Sequence, residues 1–266
     1  MGKSPPRGLP AARNLRRVTT LVWDGCLNVR DLGGLPTEDG GRTRAGAVVR
    51  SDNVRQLSED GWRSLAAHGV TRIVDLRWPE ELALDHPRDV DIDVVHVSVL
   101  GESWNEDPGY VARLDAHLDS VDHVADHYAW SYLDFLERYR DRFGRAVAAV
   151  ADAGGAVVVH CAGGKDRTGL VSALLLRLAG VSLDEIGRDY ALSGPNLAPR
   201  NDVWMAQVTD EDERRRRAKL LETPAEAMVR VLAAVEERYG SVAGYLRAAG
   251  LDDEQIERVR QRLGEQ

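Results

Sequence analysis

The 266-residue chain is poor in cysteine, phenylalanine and lysine: two cysteines (Cys26, Cys161), two phenylalanines and three lysines (Lys3, Lys165, Lys219). Two cysteines cannot build a disulfide framework, which excludes a stapled secreted scaffold and suits a reducing compartment. No apolar run reaches the roughly eighteen residues that a membrane span needs, and the first twenty residues lack the apolar middle of a signal peptide. A cytoplasmic protein without stable membrane insertion is therefore expected. Positive charge is in deficit as well, with 35 Lys and Arg against 43 Asp and Glu. That balance argues against nucleic acid as partner, because such binders carry a basic footprint. It leaves room for a small anion held in a local positive pocket.

What is present reads as an ordinary globular composition, 43% hydrophobic and 29% charged, with enough chain for one substantial core. The expectation is a single domain over 21–266. A basic, proline-rich and flexible arm precedes it over 1–20, with Pro5, Pro6, Pro10, Arg13, Arg16 and Arg17. Short β-branched runs at 47–50, 71–77, 94–100 and 156–161 alternate with helical patterns, which predicts an α/β fold with a mainly parallel central sheet flanked by helices. Ser58, followed by Glu59 and Asp60, caps a helix that stops near Gly69.

Val157, Val158 and Val159 form the continuous apolar run of a strand covered on both faces. The segment 168–179 is apolar nearly all round and stops at Gly180, as a buried helix would. Beyond it the chain becomes helical. Ser182-Leu183-Asp184-Glu185 and Thr223-Pro224-Ala225-Glu226 fit capping boxes, Ser241 starts a short helix ending at Gly250, and 253–263 makes the last one.

Between the buried strand and the buried helix lies His160-Cys161-Ala162-Gly163-Gly164-Lys165-Asp166-Arg167-Thr168-Gly169. Cys161 sits where a helix is about to begin, so its sulfur faces the positive end of that helix. With Arg167 nearby, this placement should lower the thiol pKa from about 8.5 toward the range of roughly 3.5 to 7.5 found for activated cysteines. Gly163 and Gly164 permit the tight turn that points successive backbone N–H groups of 162–165 inward around a phosphate. Arg167 offers a planar fork for two equatorial oxygens, which lysine would not reproduce. Thr168 can hydrogen-bond the sulfur when it becomes a leaving group. A Walker A reading fails because Asp166 follows Gly164-Lys165.

Cysteine, five residues, arginine and threonine is the signature of the protein tyrosine phosphatase superfamily. The fuller loop resembles that of the atypical bacterial tyrosine phosphatases with lipid phosphatase activity. Asn28-Val29-Arg30-Asp31-Leu32-Gly33-Gly34, Val49-Arg50-Ser51-Asp52, Val74-Asp75-Leu76-Arg77 and the pattern around Tyr239-Gly240-Ser241 and Tyr245-Leu246 extend the likeness to about 21–263. The resemblance implies a tyrosine-phosphatase-like fold and a cysteine-dependent phosphatase acting on phosphotyrosine, with phosphoserine and phosphothreonine as further esters, through a phosphocysteine. It assigns the general acid to Asp166, associates Lys165 with phosphoinositide recognition, and places a helical lid within 195–222. It implies no cofactor and no metal.

Asp75 competes as the acid, since it ends a parallel strand at the edge where α/β sites assemble; its other reading is a structural partner for a nearby arginine. Asn28, Arg30 and Asp31 before the Gly33-Gly34 turn read equally as a salt-bridged turn and as braces for the loop, beside His160. His123 and His127, four apart, read as a solvated helix face rather than a metal site. The block from Asp210 to Arg217 pairs Glu211 with Arg215 and Glu213 with Arg217 on an exposed helix, with the lid as its rival. Cys26 reads as a bystander thiol. Three other functions stand beside the tyrosine phosphatase: a phosphoinositide phosphatase, a sulfurtransferase and a non-catalytic phosphate-binding module.

Overall fold

The computed structural model describes residues 19–85 and 91–264. The arm expected over 1–20 lies outside the described residues except for Thr19–Thr20, which form strand β1. Strands β2 (Arg30–Asp31), β3 (Val48–Ser51), β4 (Val70–Asp75), β5 (Asp93–His96) and β6 (Ala156–His160) complete a sheet in the order β1-β2-β3-β6-β4-β5. The pairs β1-β2 and β2-β3 are antiparallel, and β3-β6, β6-β4 and β4-β5 are parallel. The fold is thus α/β with a mainly parallel sheet, as expected, plus an antiparallel edge.

Strand β6 lies inside the sheet and all five of its residues are buried. Its side chains alternate between two cores: Val157 and Val159 join the larger one, while Ala156 and Val158 join the smaller one with Trp23, Val29, Leu65 and Ile73. Burial on both faces explains the unbroken valine run, because each residue has an apolar layer to meet whichever way it points.

The helices follow the start and stop signals closely. Helix α1 (Glu59–Ala67) is capped by Ser58, whose hydroxyl accepts the Gly61 N–H, and Gly69 after it adopts a φ of +80°. Helix α2 (Pro79–Leu82) is a single turn after β4, and α3 (Pro108–Ser120), α4 (Val124–Arg138) and α5 (Arg140–Ala151) precede β6. Helix α6 (Asp166–Leu178) is buried along almost its whole length, and α7 (Leu183–Ala191) is capped by Ser182. Then come α8 (Ser193–Ala206), α9 (Glu211–Leu221), α10 (Ala225–Tyr239), α11 (Val242–Ala248) and α12 (Asp253–Leu263). No helix among the described residues is long and apolar enough to cross a membrane.

Three local expectations need correction. The cap of α10 is Pro224, and no side chain bonds there. Thr223 Oγ1 instead donates to the Ala191 carbonyl at 2.9 Å and accepts the Gly194 N–H, tying α7 to α8. In α9, Glu213 pairs with Arg217 as expected, but Arg215 pairs with Asp212 rather than Glu211, since three-residue spacing also brings side chains together.

The third concerns His123 and His127, which do not share a solvated face. His123 precedes the helix as its N-cap, while His127 is buried, with Nδ1 facing His117 Nδ1 at 3.4 Å and His117 stacked on Trp130. Burial, reinforced by the neighbouring His117, pushes the His127 imidazole down to about 4 from 6.5. The unfolded chain therefore binds a proton that the folded chain refuses between these two values, so stability rises with pH across that window and is lost as pH falls from 6.5 toward 4. Urea unfolding should show this slope in the wild type, and a His127→Phe variant should flatten it.

Candidate active site

The loop from Cys161 to Arg167 runs from the C-terminal end of β6 to the first turn of α6, at the sheet edge where parallel strands open. Its carbonyls are held from outside. The Asn53 N–H donates to Ala162 O at 3.2 Å, Asn28 Nδ2 to Gly163 O at 3.0 Å, and Arg50 Nη2 to Gly164 O at 2.7 Å. A peptide whose oxygen is turned outward presents the following N–H on the opposite side, so these three donors aim the loop amides inward. The free N–H groups at the start of α6 complete the ring.

Gly164 makes this turn with a φ of +63°, and a Cβ on it would stand 2.5 Å from Ser51 O and 2.6 Å from Asp52 N. Both its conformation and its contact with β3 demand glycine.

The donors are themselves fixed by a buried charge cluster. Asp189 on α7 accepts Arg30 Nε at 2.9 Å through one oxygen and Arg50 Nη1 through the other. Burial alone would raise the Asp189 carboxyl, but the two guanidiniums outweigh it and hold the pKa below the usual range. Burial pushes Arg30 down to about 10, with Asp189 opposing the drop. Arg30 also donates through Nη1 to Asn28 Oδ1, which fixes the amide that holds Gly163. Asp31 stands apart from this cluster: its carboxylate accepts the N–H groups of Gly33 and Gly46 and shapes the β2-β3 connection. Of the three residues read as braces, Asn28 touches the loop, Arg30 acts through Asn28, and Asp31 belongs to a turn.

Cys161 is 3% exposed and Arg167 is 7% exposed, and the two are close enough for the Cys161 charge to act on the guanidinium. The Arg167 guanidinium lies over the Trp78 ring at 4.3 Å, and its two terminal nitrogens grip Glu81 of α2, one of them at 2.9 Å. Burial lowers the arginine's pKa, but the Cys161 and Glu81 charges more than reverse this and keep it above its ordinary value. Thr168 Oγ1 is buried without a hydrogen-bond partner among the described residues.

His160 is buried with Nδ1 3.2 Å from Cys161 O and Nε2 3.4 Å from Asp75. Asp75 is gripped by Arg77 through Nε at 2.9 Å and Nη2 at 2.7 Å. Burial raises the Asp75 carboxyl, yet His160 and Arg77 together hold it far below the usual carboxylate range. A carboxylate so held has no proton to give near neutrality.

Asp166 is more open, with its side chain 43% exposed and 3.5 Å from Lys165 Nζ. It accepts a hydrogen bond from Tyr132, whose hydroxyl also meets Tyr190 at 2.9 Å. Burial, and then the Asp166 charge, keep the Tyr132 phenol well above its ordinary pKa, so it remains a donor.

Lys165 reaches α4 and α9. Its Nζ donates to Leu220 O at 2.6 Å and to Tyr128 Oη at 2.7 Å. Burial lowers its pKa, but Asp166 and Tyr128 outweigh that and keep it a cation. Leu220 lies in the last turn of α9, where unpaired carbonyls favour positive charge. Helices α8 and α9 cover the loop, and α9 is fastened to α3 by Arg216 with Asp115 and by Lys219 Nζ to Val121 O at 3.0 Å.

Two cavities open beside the loop and share Lys165, Asp166 and Leu220. One, of about 320 Å³, is walled by Trp78, Trp104, Leu114, Phe135 and Tyr132 and reaches Arg167. The other, of about 410 Å³, lies under α8 between Gly163, Leu197, Arg200, Asn201 and Trp204. The second cysteine, Cys26, donates to Asn53 O at 3.4 Å, and burial together with Asp52 pushes its thiol far above the ordinary value, as for an inert thiol.

Sequence reasoning missed Glu81, Trp78, Tyr132 and Asp189. The first two could have been suspected, because Trp78-Pro79-Glu80-Glu81 directly follows the C-terminal end of a parallel strand. Tyr132 and Asp189 lie on helices far along the chain, and only the tertiary contacts of Tyr132 with Asp166 and of Asp189 with Arg30 and Arg50 bring them in.

A ring of inward amides ending in a cysteine on one side and an arginine on the other, at the open edge of a parallel sheet, defines an α/β phosphatase. The chain belongs to the tyrosine phosphatase family, whose profile matches residues 21–265. It is 30% identical over 238 residues to a tyrosine-protein phosphatase of Nostoc commune, covering 83% of this chain and 75% of that one. It is 31% identical over 245 residues to a putative tyrosine-protein phosphatase of Cupriavidus necator, covering 90% and 87%. With the triple specificity protein phosphatase of Mycobacterium tuberculosis it shares 28% identity over 269 residues, covering 89% and 96%.

Replacing Gly164 with alanine should force the loop off Ser51 and spoil the amide ring. Aryl phosphate turnover is expected to fall about a hundredfold, as displacements near 1 Å can cost that much. Calorimetric titration with orthovanadate should show a matching loss of affinity.

Proposed function

We propose that the chain hydrolyses phosphotyrosine esters, with phosphoserine and phosphothreonine as further substrates, through a phosphocysteine on Cys161. The observation that carries this reading is the loop around Cys161, with three carbonyls braced outward and Arg167 across the ring. The Cys161 sulfur attacks phosphorus, forming an S–P bond while the ester P–O bond breaks. The departing oxygen takes a proton from Asp166. Water then attacks phosphorus, the S–P bond breaks, phosphate leaves, and Asp166 takes up the proton that water loses.

Arg167 can stabilise the equatorial oxygens without releasing Glu81. A guanidinium has five N–H donors. Glu81 takes one from each terminal nitrogen, which leaves Nε–H and its neighbouring N–H as a second fork for phosphate. Thr168 Oγ1 is a donor in need of a partner, and a sulfur anion leaving in the second step supplies one. Asp166 rather than Asp75 is the acid in this scheme, because Asp75 is committed to Arg77 and His160.

The cavity walled by Trp78, Trp104 and Phe135 beside Asp166 and Arg167 suits an aryl leaving group, which favours tyrosine esters over alkyl ones. A single chain-wide phosphatase domain over 21–266, including α8 and α9 as a lid, fits the family match. The sulfurtransferase and binding-module readings lose ground because the relatives are named phosphatases.

Two variants test the scheme. Cys161→Ser should abolish turnover of an aryl phosphate while retaining phosphate binding, and undiminished turnover would remove Cys161 from the chemistry. Asp166→Asn should lower kcat about a hundredfold to ten-thousandfold on phosphotyrosine, the range for a lost general acid. It should lower kcat far less on p-nitrophenyl phosphate, whose leaving group needs little protonation. An equal loss on both substrates would refute the assignment.

A further inference from the structure

Three arginines reach the phosphate loop, and two of them are closely paired: Arg50 with Asp189, and Arg167 with Glu81. The third, Arg200 of α8, is not. Its side chain is 39% exposed, its Nη1 lies 3.4 Å from Ala162 O, and the nearest carboxylate oxygen, on Asp52, is 4.0 Å away. That carboxylate is already engaged by the N–H groups of Leu27 and Asn28 at 3.0 to 3.2 Å. Arg200 also stands directly above the loop, since a Cβ on Gly163 would meet its Nη2 at 3.1 Å. A guanidinium left with one long carbonyl contact, at the wall of a cavity beside a phosphate seat, is positioned for an anion that is not part of the protein.

The cavity beneath it argues for what brings that anion. It adjoins the loop at Gly163 and Asp166 and is bounded on α8 by Asn201 and Trp204. Trp204 is half-exposed, so the cavity has an apolar edge open to solvent. None of the basic residues of α9 lines this cavity, and Arg214 and Lys219 donate to the carbonyls of Val208 and Val121. Arg215 pairs with Asp212, Arg216 with Asp115 and Asp119, and Arg217 with Glu213 while stacking on Trp204. An aryl group in the tryptophan-walled cavity leaves this second cavity for the chain that flanks it.

We infer that Arg200 is a specificity-determining residue, which selects phosphotyrosine peptides carrying an acidic side chain close to the phosphorylated position. The inference rests on the phosphatase reading of the loop. The peptide's carboxylate meets Arg200 under α8 while Trp204 accepts the adjoining apolar groups. Asn201 supplies a neutral hydrogen-bonding side chain beside it.

The test compares kcat/KM for phosphotyrosine peptides that differ only at the two positions on either side, bearing Glu, Ala or Lys. The wild type should prefer Glu over Ala about fivefold to tenfold at one of these positions, mainly through KM, with the preference shrinking at high salt. Arg200→Ala should bring that ratio to about one, and Arg200→Glu should invert it in favour of Lys. Arg200→Lys should restore part of it, which separates charge recognition from damage to α8. An absent preference in the wild type, or one that survives Arg200→Ala and Arg200→Glu, would overturn the inference. Failure of the wild type to dephosphorylate any peptide would instead count against the phosphatase reading itself.

Discussion

The site depends on donors that lie outside it. Backbone amides can surround an anion only if their carbonyls point elsewhere, and a buried carbonyl must then find a partner on the far side. Asn53, Asn28 and Arg50 supply those partners for Ala162, Gly163 and Gly164, and Asp189 orients Arg50 and, through Arg30, Asn28. Two arginines share one carboxylate in this buried cluster, and the buried Asp52 carboxylate acts on Arg30 as well. Removal of Asp189 would leave two buried guanidiniums facing one another, the costly half of a broken ion pair.

The same logic separates the acidic residues. Asp75 and Asp166 both end near the loop, but their surroundings push them toward different chemistry. Asp75 is enclosed with Arg77 and His160 and serves to fix the carbonyl side of Cys161 through the imidazole. Asp166 faces both cavities, with Tyr132 giving it a hydrogen bond and Lys165 near it. Glu81 has a third task, holding Arg167 from the end of its fork while Trp78 supports the plane from beneath.

Much of this could be read from the chain because the decisive signals are local. The valine run before Cys161, the paired glycines after it and the apolar stretch from Leu170 onward each specify an element without reference to distant residues. Gly164 could be singled out as a turn residue, but its collision with Ser51 required knowing that β3 lies alongside β6. The resemblance points Lys165 toward substrate, and its hydrogen bonds to Leu220 and Tyr128 are contacts that the loop motif alone does not disclose. Helical spacing misplaces His127, because it says which residues share a face and nothing about what packs on it. The partners of Arg167 and Asp166 come from α2 and α4, and those contacts arise from tertiary packing that no periodicity encodes.

The closure of α9 onto the loop has one further property. Lys165 and Tyr128 both fasten to the carbonyl oxygen of Leu220, a main-chain atom. Every amino acid at position 220 would present the same acceptor, provided the helix ends there. The hydrogen bonds of the clasp are therefore carried by the backbone, while the Leu220 side chain packs on the core and walls both cavities.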